Sequence, residues 1–479
     1  MSEARRPNLS ATSALWPLLI AAVLPMIAVS LGGLGGDHLT AYVLLAAPAA
    51  ALFSVAMICW PRLTWFSILG WASIQYWLTD DLGLPQAANL VDDYLLLLIT
   101  ANWVIDSIRC NRPLRFFKWV GKPVTLFLAV GLLSMLLNGV RLTHGLFGIR
   151  QHLQGVLLFL AMANLPFDEK VRRRSVNFIL LLAFAQIPFI LWQWKSHGAS
   201  LAVFSSSAGD YLHGTMGGIN GNYVGYLSLM AMGLLLGLVR AGYGRTQWLL
   251  AGVMILAFPM VMSGARICIP IFALFLFVLF AGKLWVPRYF IAFALAGGVM
   301  AAGTWYYYTH FLADPDEVVS VRTNMVAESD PTNVGRLAYY PIAWDVLHKH
   351  AVSPWIGTGP ATFFSLAGRR FHPPLAMAYN YRANEDAEMP ASAIIAAGVE
   401  YGYLGLIAFY WILLNFALIA RRMWRTDPDP YWQGMARGSL AMVLLFSITP
   451  LIANVWEPQQ TTYYMWLLPG VFVARLTRR

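Results

Sequence analysis

Apolar runs separated by short polar segments recur along the whole chain. A helix that crosses a bilayer needs about 20 mostly apolar residues, and about fourteen runs approach this length. They cover 14–31, 41–60, 63–78, 90–107, 123–138, 153–166, 175–194, 221–239, 247–262, 266–282, 288–308, 391–419, 433–452 and 461–475. The runs 63–78 and 153–166 are the weakest. The pattern predicts an all-α polytopic membrane protein with about 12–14 transmembrane helices.

Composition agrees with this class and excludes several others. Of the 479 residues, 58% are hydrophobic and only 12% are charged, whereas about 25% are charged in soluble proteins. The chain is too apolar for a soluble enzyme, a disordered protein, a nucleic-acid-binding protein or a secreted disulfide scaffold. Its three cysteines, Cys59, Cys110 and Cys268, are too far apart to ligate a metal, so we expect free thiols.

The basic residues predict an orientation. The formal net charge is +10, and cytoplasmic loops of membrane proteins collect Lys and Arg. Placing Arg5 and Arg6 in the cytoplasm brings most basic residues to that side, including Arg478 and Arg479. The first apolar run has no evident cleavage site, so we expect a retained helix and cytoplasmic termini.

Some polar residues fall on the opposite, external side. All nine histidines map there or to helix ends on that side, together with several basic residues: Arg141, Arg150, Lys195, Arg266, Arg322, Arg336, Lys349, Arg369, Arg370 and Arg382. This distribution predicts an external working face. The alternative is that external loops simply carry more polar residues.

A long external segment, 309–390, separates membrane helices 1–308 from membrane helices 391–479. Such long connections are usually functional. Apolar residues recur in it at helical spacing: Leu337, Tyr340, Ile342, Ala343, Val346 and Leu347. We expect a helix on the membrane surface here, ended by Pro354 and the Gly357–Gly359 pair.

External arginines are candidates for binding phosphate groups. Arg150 lies at the mouth of a short helix, Arg266 begins a membrane run after a tight turn, and Arg141 lies between two runs. A charge near the bilayer is costly unless it is paired or used, and a guanidinium matches phosphate oxygens. Arg336 is a fourth candidate, because Asn333 is expected to cap its helix and helix N-termini bind anions. The structural alternatives are snorkelling to headgroups and a plain capped helix.

Acidic residues and one histidine form a second group of candidates: Glu385, Asp386, Glu388 and His372. Each could accept a proton from a hydroxyl, although most external acidic residues are only solvated. Asp92 and Asp93 open a membrane run, where the helix dipole favours acidic residues, so we interpret them as structural. No H-E-x-x-H, P-loop or G-x-S-x-G motif occurs, and no metal site is predicted.

Four motifs follow one another in the second half of the chain. They are Gly335-Arg336, Trp344 in a short helix, Pro354-Trp355-Ile356-Gly357-Thr358-Gly359, and Glu400-Tyr401-Gly402-Tyr403-Leu404-Gly405-Leu406. This order resembles the bacterial O-antigen ligase and polymerase superfamily of membrane glycosyltransferases. Weaker similarities are the turn 263–266, the stretch GGINGNYVGYL at 217–227, and Arg150. The resemblance covers roughly residues 140–420.

The resemblance implies a GT-C-like fold and glycosyl transfer at the periplasmic face of the bacterial inner membrane. Such enzymes pass a glycan from an undecaprenyl-diphosphate-linked oligosaccharide to a hydroxyl of a glycan or lipid A-core acceptor, without a metal or cofactor. The external arginines would bind the diphosphate and stabilise it as it leaves. Expected partners also include the lipid bilayer and a chain-length regulator, but no nucleic acid.

One position departs from the family pattern. The family has His-Asn nine residues before the motif glutamate, where this chain has Ala391-Ser392. Polymerases vary more than ligases in this region, so we favour polymerisation of lipid-linked repeat units into an exopolysaccharide or O-antigen. O-antigen ligation is the alternative. A lipid-linked sugar transporter and a non-catalytic secretion partner are less favoured.

Overall fold

The computed structural model describes residues 53–84, 88, 90–110, 117–201, 212–216, 222–263, 265, 267–280, 298, 339–363, 393–451 and 459–477. The principal helices are α1 (Phe53–Cys59), α2 (Pro61–Tyr76), α3 (Val91–Cys110), α4 (Lys122–Leu137), α5 (Leu142–Asn164), α6 (Glu169–Leu201), α7 (Asn222–Ala241), α8 (Thr246–Met262), α9 (Cys268–Phe280), α10 (Tyr339–His350), α11 (Gly402–Thr426), α12 (Pro430–Ile448) and α13 (Gln459–Leu476). Shorter π-helical segments cover Trp77–Asp81, Phe117–Gly121 and Ala396–Glu400. No β-strand occurs among the described residues.

The helices match the apolar runs of the sequence. Every predicted run except 14–31, 41–60 and 288–308 coincides with one of them, and those three lie wholly or mostly outside the described residues. Among the described residues, five helices are long and apolar enough to cross a membrane, or up to seven if each bent pair counts as one span. An all-α protein with multiple membrane-spanning helices is therefore confirmed, and the finer count of spans stays a prediction.

Successive helices run in alternating directions, so their connections gather at two ends. At one end, which we call the basic end, Arg62 at the start of α2 contacts Asp168 after α5 at 3.1 Å. At the other, the distal end, the Asn138 side chain after α4 donates to the carbonyl of Gly357 at 2.9 Å. The basic end holds the loops predicted to be cytoplasmic, and the distal end holds those predicted to be external.

Helix α13 forms the centre of the bundle. Every residue from 461 to 474 is buried. The helix packs on α5, where the Trp466 ring lies close above Gly155, and it also contacts α11 and α2. Near its distal end the hydroxyl of Tyr464 bonds to that of Ser73 on α2 at 2.6 Å. A polar group that is buried in this way is stable only when it finds a partner.

Helices α7 and α12 approach each other through glycines. Gly233 and Gly237 on α7 face Gly434 and Gly438 on α12, so both helices carry glycines four residues apart. A Cβ atom on Gly237 would lie 2.1 Å from the carbonyl oxygen of Gly434. Small residues at this spacing let backbones approach closely in membrane helix pairs. Together with α6, α8 and α9, helix α12 buries almost the whole of α7.

The basic end is held by a network of ion pairs. The guanidinium of Arg475 binds the Asp427 carboxylate in a bidentate manner, at 2.5 and 3.1 Å, and binds Glu169 at 2.8 Å. Arg173 connects Glu169 with Asp429. Because these residues belong to the start of α6, the α11–α12 connection and the end of α13, the network ties three parts of the chain together.

Helix α10 matches the amphipathic helix predicted in the long loop. Ala343, Val346 and Leu347 are buried along one face, and the helix ends at His350, before Pro354. The remainder of the 309–390 segment outside residues 339–363 is not among the described residues. The three cysteines are free thiols, as expected; Cys268 is buried, and Cys59 and Cys110 are exposed.

We expect Gly237→Ala to destabilise the protein and Gly70→Ala to stabilise it slightly. The first variant forces a methyl group against backbone atoms of α12, an overpacking that costs about 1–3 kcal/mol. Gly70 also lies inside a helix, but no atom lies within 4 Å of the point that a methyl group would occupy there, so alanine gains about 0.5–1 kcal/mol of helix preference. Thermal unfolding in detergent micelles measures both. Equal midpoints for the two variants would contradict the close contact between α7 and α12.

Candidate functional site

The loop that follows α10, which we call the glycine turn (residues 353–363), caps two helix ends at once. The amides of Thr358 and Gly359 donate to the carbonyls of Val399 and Glu400, both at 2.9 Å. Those carbonyls end the π-helical segment. The first amides of α11, from residues 403 and 404, donate at 3.0 Å to the carbonyls of residues 354 and 355. Helix ends leave such backbone groups unpaired. The turn therefore supplies hydrogen-bond partners both for the last carbonyls of the π-helical segment and for the first amides of α11.

Two glycines make this docking possible. Gly357 has φ +77° and Gly402 has φ +65°, in the region that favours glycine. A Cβ atom on Gly357 would lie 2.4 Å from the amide nitrogen of Gly402, and one on Gly402 would lie 2.5 Å from the amide nitrogen of Gly357. The two sequence motifs that the resemblance singles out thus interlock backbone to backbone.

The buried carboxylate of Glu400 supports the far part of the turn. It accepts hydrogen bonds from the amides of Ala361 at 2.8 Å and Phe363 at 3.2 Å. Ala361 has φ +59°, a conformation that costs a non-glycine residue about 1 kcal/mol. The charge-assisted bonds offset this cost, so the motif glutamate has a structural task in this protein.

The glycine turn also lies against α5. A Cβ atom on Gly148 would lie 2.9 Å from the Pro360 side chain and 3.1 Å from the amide nitrogen of Ala361. On the other side, the amide of Val352 donates to the side chain of Asn138 at 3.0 Å. These contacts fix the turn two residues away along α5 from Arg150.

Arg150 belongs to a group of polar side chains at the distal end, which we call the distal polar cluster: Asp92, Asp93, Arg150, Gln154 and Tyr463. The guanidinium of Arg150 binds the Asp93 carboxylate through two nitrogens, with Nε donating at 3.0 Å. The Gln154 amide donates to Asp93 at 2.6 Å and to Asp92 at 3.4 Å. The hydroxyl of Tyr463 donates to Asp92 at 3.0 Å. Helices α3, α5 and α13 meet through these bonds.

The cluster has a buried part and a partly exposed part, and it contains more acidic than basic groups. Asp92 is fully buried, whereas the side chains of Arg150 and Asp93 are 31% and 27% exposed. The cluster holds two carboxylates and one guanidinium. Among the described residues, Oδ1 of Asp92 and Oε1 of Gln154 are buried without a hydrogen-bond donor. Ionisable groups within membrane helices are costly and mark functional sites by default.

The structure adds to the sequence interpretation of Asp92 and Asp93. Both lie in the first turn of α3, as predicted, but they also form hydrogen bonds with side chains of α5 and α13.

Helix α5 bends by 43° between Arg150 and His152, at the level of this cluster. Arg141 occupies the N-cap position of the same helix and is exposed.

A second pair of the sequence motifs also meets at the distal end. A Cβ atom on Gly225, near the start of α7, would lie 2.3 Å from the Ala265 side chain and 2.7 Å from the hydroxyl of Ser263. The stretch 217–227 and the turn 263–266 are therefore in contact at their described residues. Arg266 itself lies outside the described residues, as do Arg336, His372, Glu385, Asp386 and Glu388.

Aromatic side chains surround the outer surface of the glycine turn. Trp344 and Trp355 are 62% and 56% exposed. The Trp344 ring packs on His348 with centroids 4.0 Å apart, and Trp355 meets Tyr403 edge-on at 5.5 Å. The Tyr403 hydroxyl lies 3.3 Å from the ring nitrogen of His348. The surface combines broad apolar rings with hydrogen-bonding groups.

Within the described part of the chain, no group of three or more His, Cys, Asp or Glu residues could hold a metal ion. Comparison with known proteins finds neither a matching family model nor a matching curated protein.

We expect Gly357→Ala to destabilise the protein more than Gly139→Ala. Both glycines have positive φ values, +77° and +63°, so both substitutions incur about 1–2 kcal/mol of backbone strain. Only Gly357 also faces backbone atoms of residues 399–402; Gly139 has nothing within 4 Å. Backbone strain is common to both variants, so the difference between their thermal unfolding midpoints in detergent measures the contribution of the contact between Gly357 and residues 399–402. Equal losses would mean that the glycine turn is not docked on the π-helical segment.

Proposed function

We propose that the protein is a glycosyltransferase of the bacterial inner membrane that acts at the periplasmic face. In this proposal it polymerises undecaprenyl-diphosphate-linked oligosaccharide repeat units into an exopolysaccharide or O-antigen. The observation that carries the proposal is the meeting of motifs at one end of the bundle. The glycine turn, the segment Glu400–Leu406 and the arginine-bearing part of α5 are far apart in sequence and adjacent in space.

Arginine chemistry supports a diphosphate donor. Arg150 is partly exposed and lies two residues along α5 from Gly148, which contacts the glycine turn. Its guanidinium, which binds Asp93 in the structure, has two parallel donors that suit a phosphate. Stabilising the charge that develops on a leaving group is often the largest catalytic contribution. Arg266 and Arg336 are proposed as further ligands of the diphosphate, and Arg141 as a peripheral one. A lipid diphosphate brings its own leaving group, so the proposed transfer requires no cofactor.

The aromatic surface around the glycine turn supports a glycan substrate. Sugar rings present faces of C–H groups beside hydroxyls, and an aromatic ring with a polar neighbour matches both. Trp355 and Tyr403, with His348 next to them, form such a surface. It adjoins the turn, where the growing chain or the lipid-linked repeat unit would lie in this proposal.

O-antigen ligation remains the second candidate, because a ligase would use the same donor and the same arginines. The departure at Ala391-Ser392 favours polymerisation.

One reconstitution experiment distinguishes polymerisation from ligation. Purified protein in detergent receives the native lipid-diphosphate-linked repeat units, first alone and then with a lipid A-core acceptor. A ladder of products without added acceptor means polymerase, and transfer only to lipid A-core means ligase. No transfer in either case would overturn the proposal in favour of transport or a non-catalytic role.

We expect Arg266→Ala to abolish the product ladder and Arg245→Ala to preserve it. The first variant removes a proposed diphosphate ligand, and removing one such donor typically lowers kcat about 10²- to 10³-fold. Arg245 is an exposed arginine at the basic end, where it precedes α8, so its loss controls for net charge. Product ladders from the two purified variants provide the comparison. A full ladder from Arg266→Ala would remove the central element of the proposed mechanism.

A further inference from the structure

The pair formed by Arg150 and Asp93 combines features that seldom occur together in a membrane protein. It is a bidentate pair between helices α3 and α5, and both side chains are about one third exposed. Partial exposure leaves the guanidinium within reach of an incoming anion that can compete for its two donors. By contrast, Asp92 is fully buried behind it. The outer pair is therefore accessible to an exchange of partners, and the buried carboxylate of Asp92 is not.

A diphosphate is the natural competitor for Asp93. Phosphate and carboxylate oxygens engage a guanidinium in the same planar, two-pronged way. A diphosphate carries more negative charge than one carboxylate, so it is the stronger ligand for Arg150. The cost of the exchange is that Asp93 loses its cation while a second anion approaches, in a cluster that already has more carboxylates than guanidinium groups.

The Gln154 side chain keeps Asp93 in position after such an exchange. Its amide donates to Asp93 at 2.6 Å independently of Arg150. The carboxylate would then remain beside the bound phosphates, with oxygens that the guanidinium no longer covers. An uncovered carboxylate next to a bound donor is placed to accept a proton from a hydroxyl.

We propose that the donor diphosphate takes Arg150 from Asp93, and that the released Asp93 is the base for the acceptor hydroxyl. This inference rests on the proposed function and supplies the base that the missing His-Asn leaves open. The acceptor oxygen bonds to the anomeric carbon as the bond from that carbon to the phosphate oxygen breaks. The electron pair of that bond leaves with the lipid diphosphate. The hydroxyl proton goes to Asp93, and it passes to the departing diphosphate or to water before the next cycle.

The proposal predicts opposite effects on binding and on turnover. In the resting protein Asp93 competes with the diphosphate for Arg150 and repels it, so Asp93→Asn should bind a prenyl diphosphate more tightly. A gain of about 1 kcal/mol corresponds to roughly fivefold in Kd. The same variant lacks the base, so kcat should fall about 10²- to 10⁴-fold. Arg150→Ala should weaken binding of the prenyl diphosphate about tenfold or more.

The experiment uses the full-length protein in detergent and a short-chain prenyl diphosphate without sugar as the probe. Equilibrium binding gives Kd, and the product ladder gives turnover. Asp106→Asn is the matched control, because Asp106 lies on the same helix at the basic end; it should leave both quantities unchanged. Asp93→Glu is a second variant in case Asp93→Asn does not fold. It keeps the competing charge, so binding should stay near that of wild type, while turnover falls because the extra methylene group moves the carboxylate away from the acceptor hydroxyl.

Tighter binding with lost turnover in Asp93→Asn supports the proposal. Weaker or unchanged binding in that folded variant, or turnover close to wild type, overturns it and leaves Asp93 as a purely structural partner of Arg150. If the wild-type protein neither binds the prenyl diphosphate nor makes a ladder, the proposed function fails together with this inference. A wild-type protein that does both, beside an Asp93→Asn variant with normal turnover, overturns the inference alone.

Discussion

The distal end depends on a single constraint, which is that a broken helix must satisfy its backbone groups away from water. The chain breaks between the π-helical segment and α11, and the glycine turn supplies both the donors and the acceptors that the break requires. Within a bilayer, irregular backbone is tolerated only where protein covers it. Because the covering segment is itself backbone, Gly357 and Gly402 have to lack side chains, and the contact fixes the long loop to the bundle.

The two ends of the bundle use charge differently. At the basic end, Arg475, Asp427 and Glu169 form a network in which Asp427 is almost completely buried. Such pairs are strongly destabilising to break, because one charge would stay behind without a partner. At the distal end the outer pair of the polar cluster is exposed enough to exchange. The basic end is therefore rigid, whereas the distal end has an ion pair that an anion can reach.

The helices could be predicted from the sequence because each one depends on local apolar length, and the loop helix could be predicted because Ala343, Val346 and Leu347 recur at helical spacing. The contact between residues 354–359 and 400–406 could not be predicted, since spacing alone indicates an ordinary turn and the resemblance marked the two segments without placing them together. The partner of Arg150 could not be predicted. Asp93 lies 57 residues away, and its position in the first turn of a helix already has a sufficient local explanation.

The central position of α13 has a consequence for biosynthesis. A chain leaves the ribosome from its N-terminus, so α13 is the last of the described helices to enter the membrane. Until it arrives, Asp92 lacks Tyr463, Ser73 lacks Tyr464, and the space against Gly155 is empty of Trp466. The earlier helices therefore enter the membrane before these contacts can form. A ribosome that stalls before residue 459 therefore leaves a bundle without its central helix.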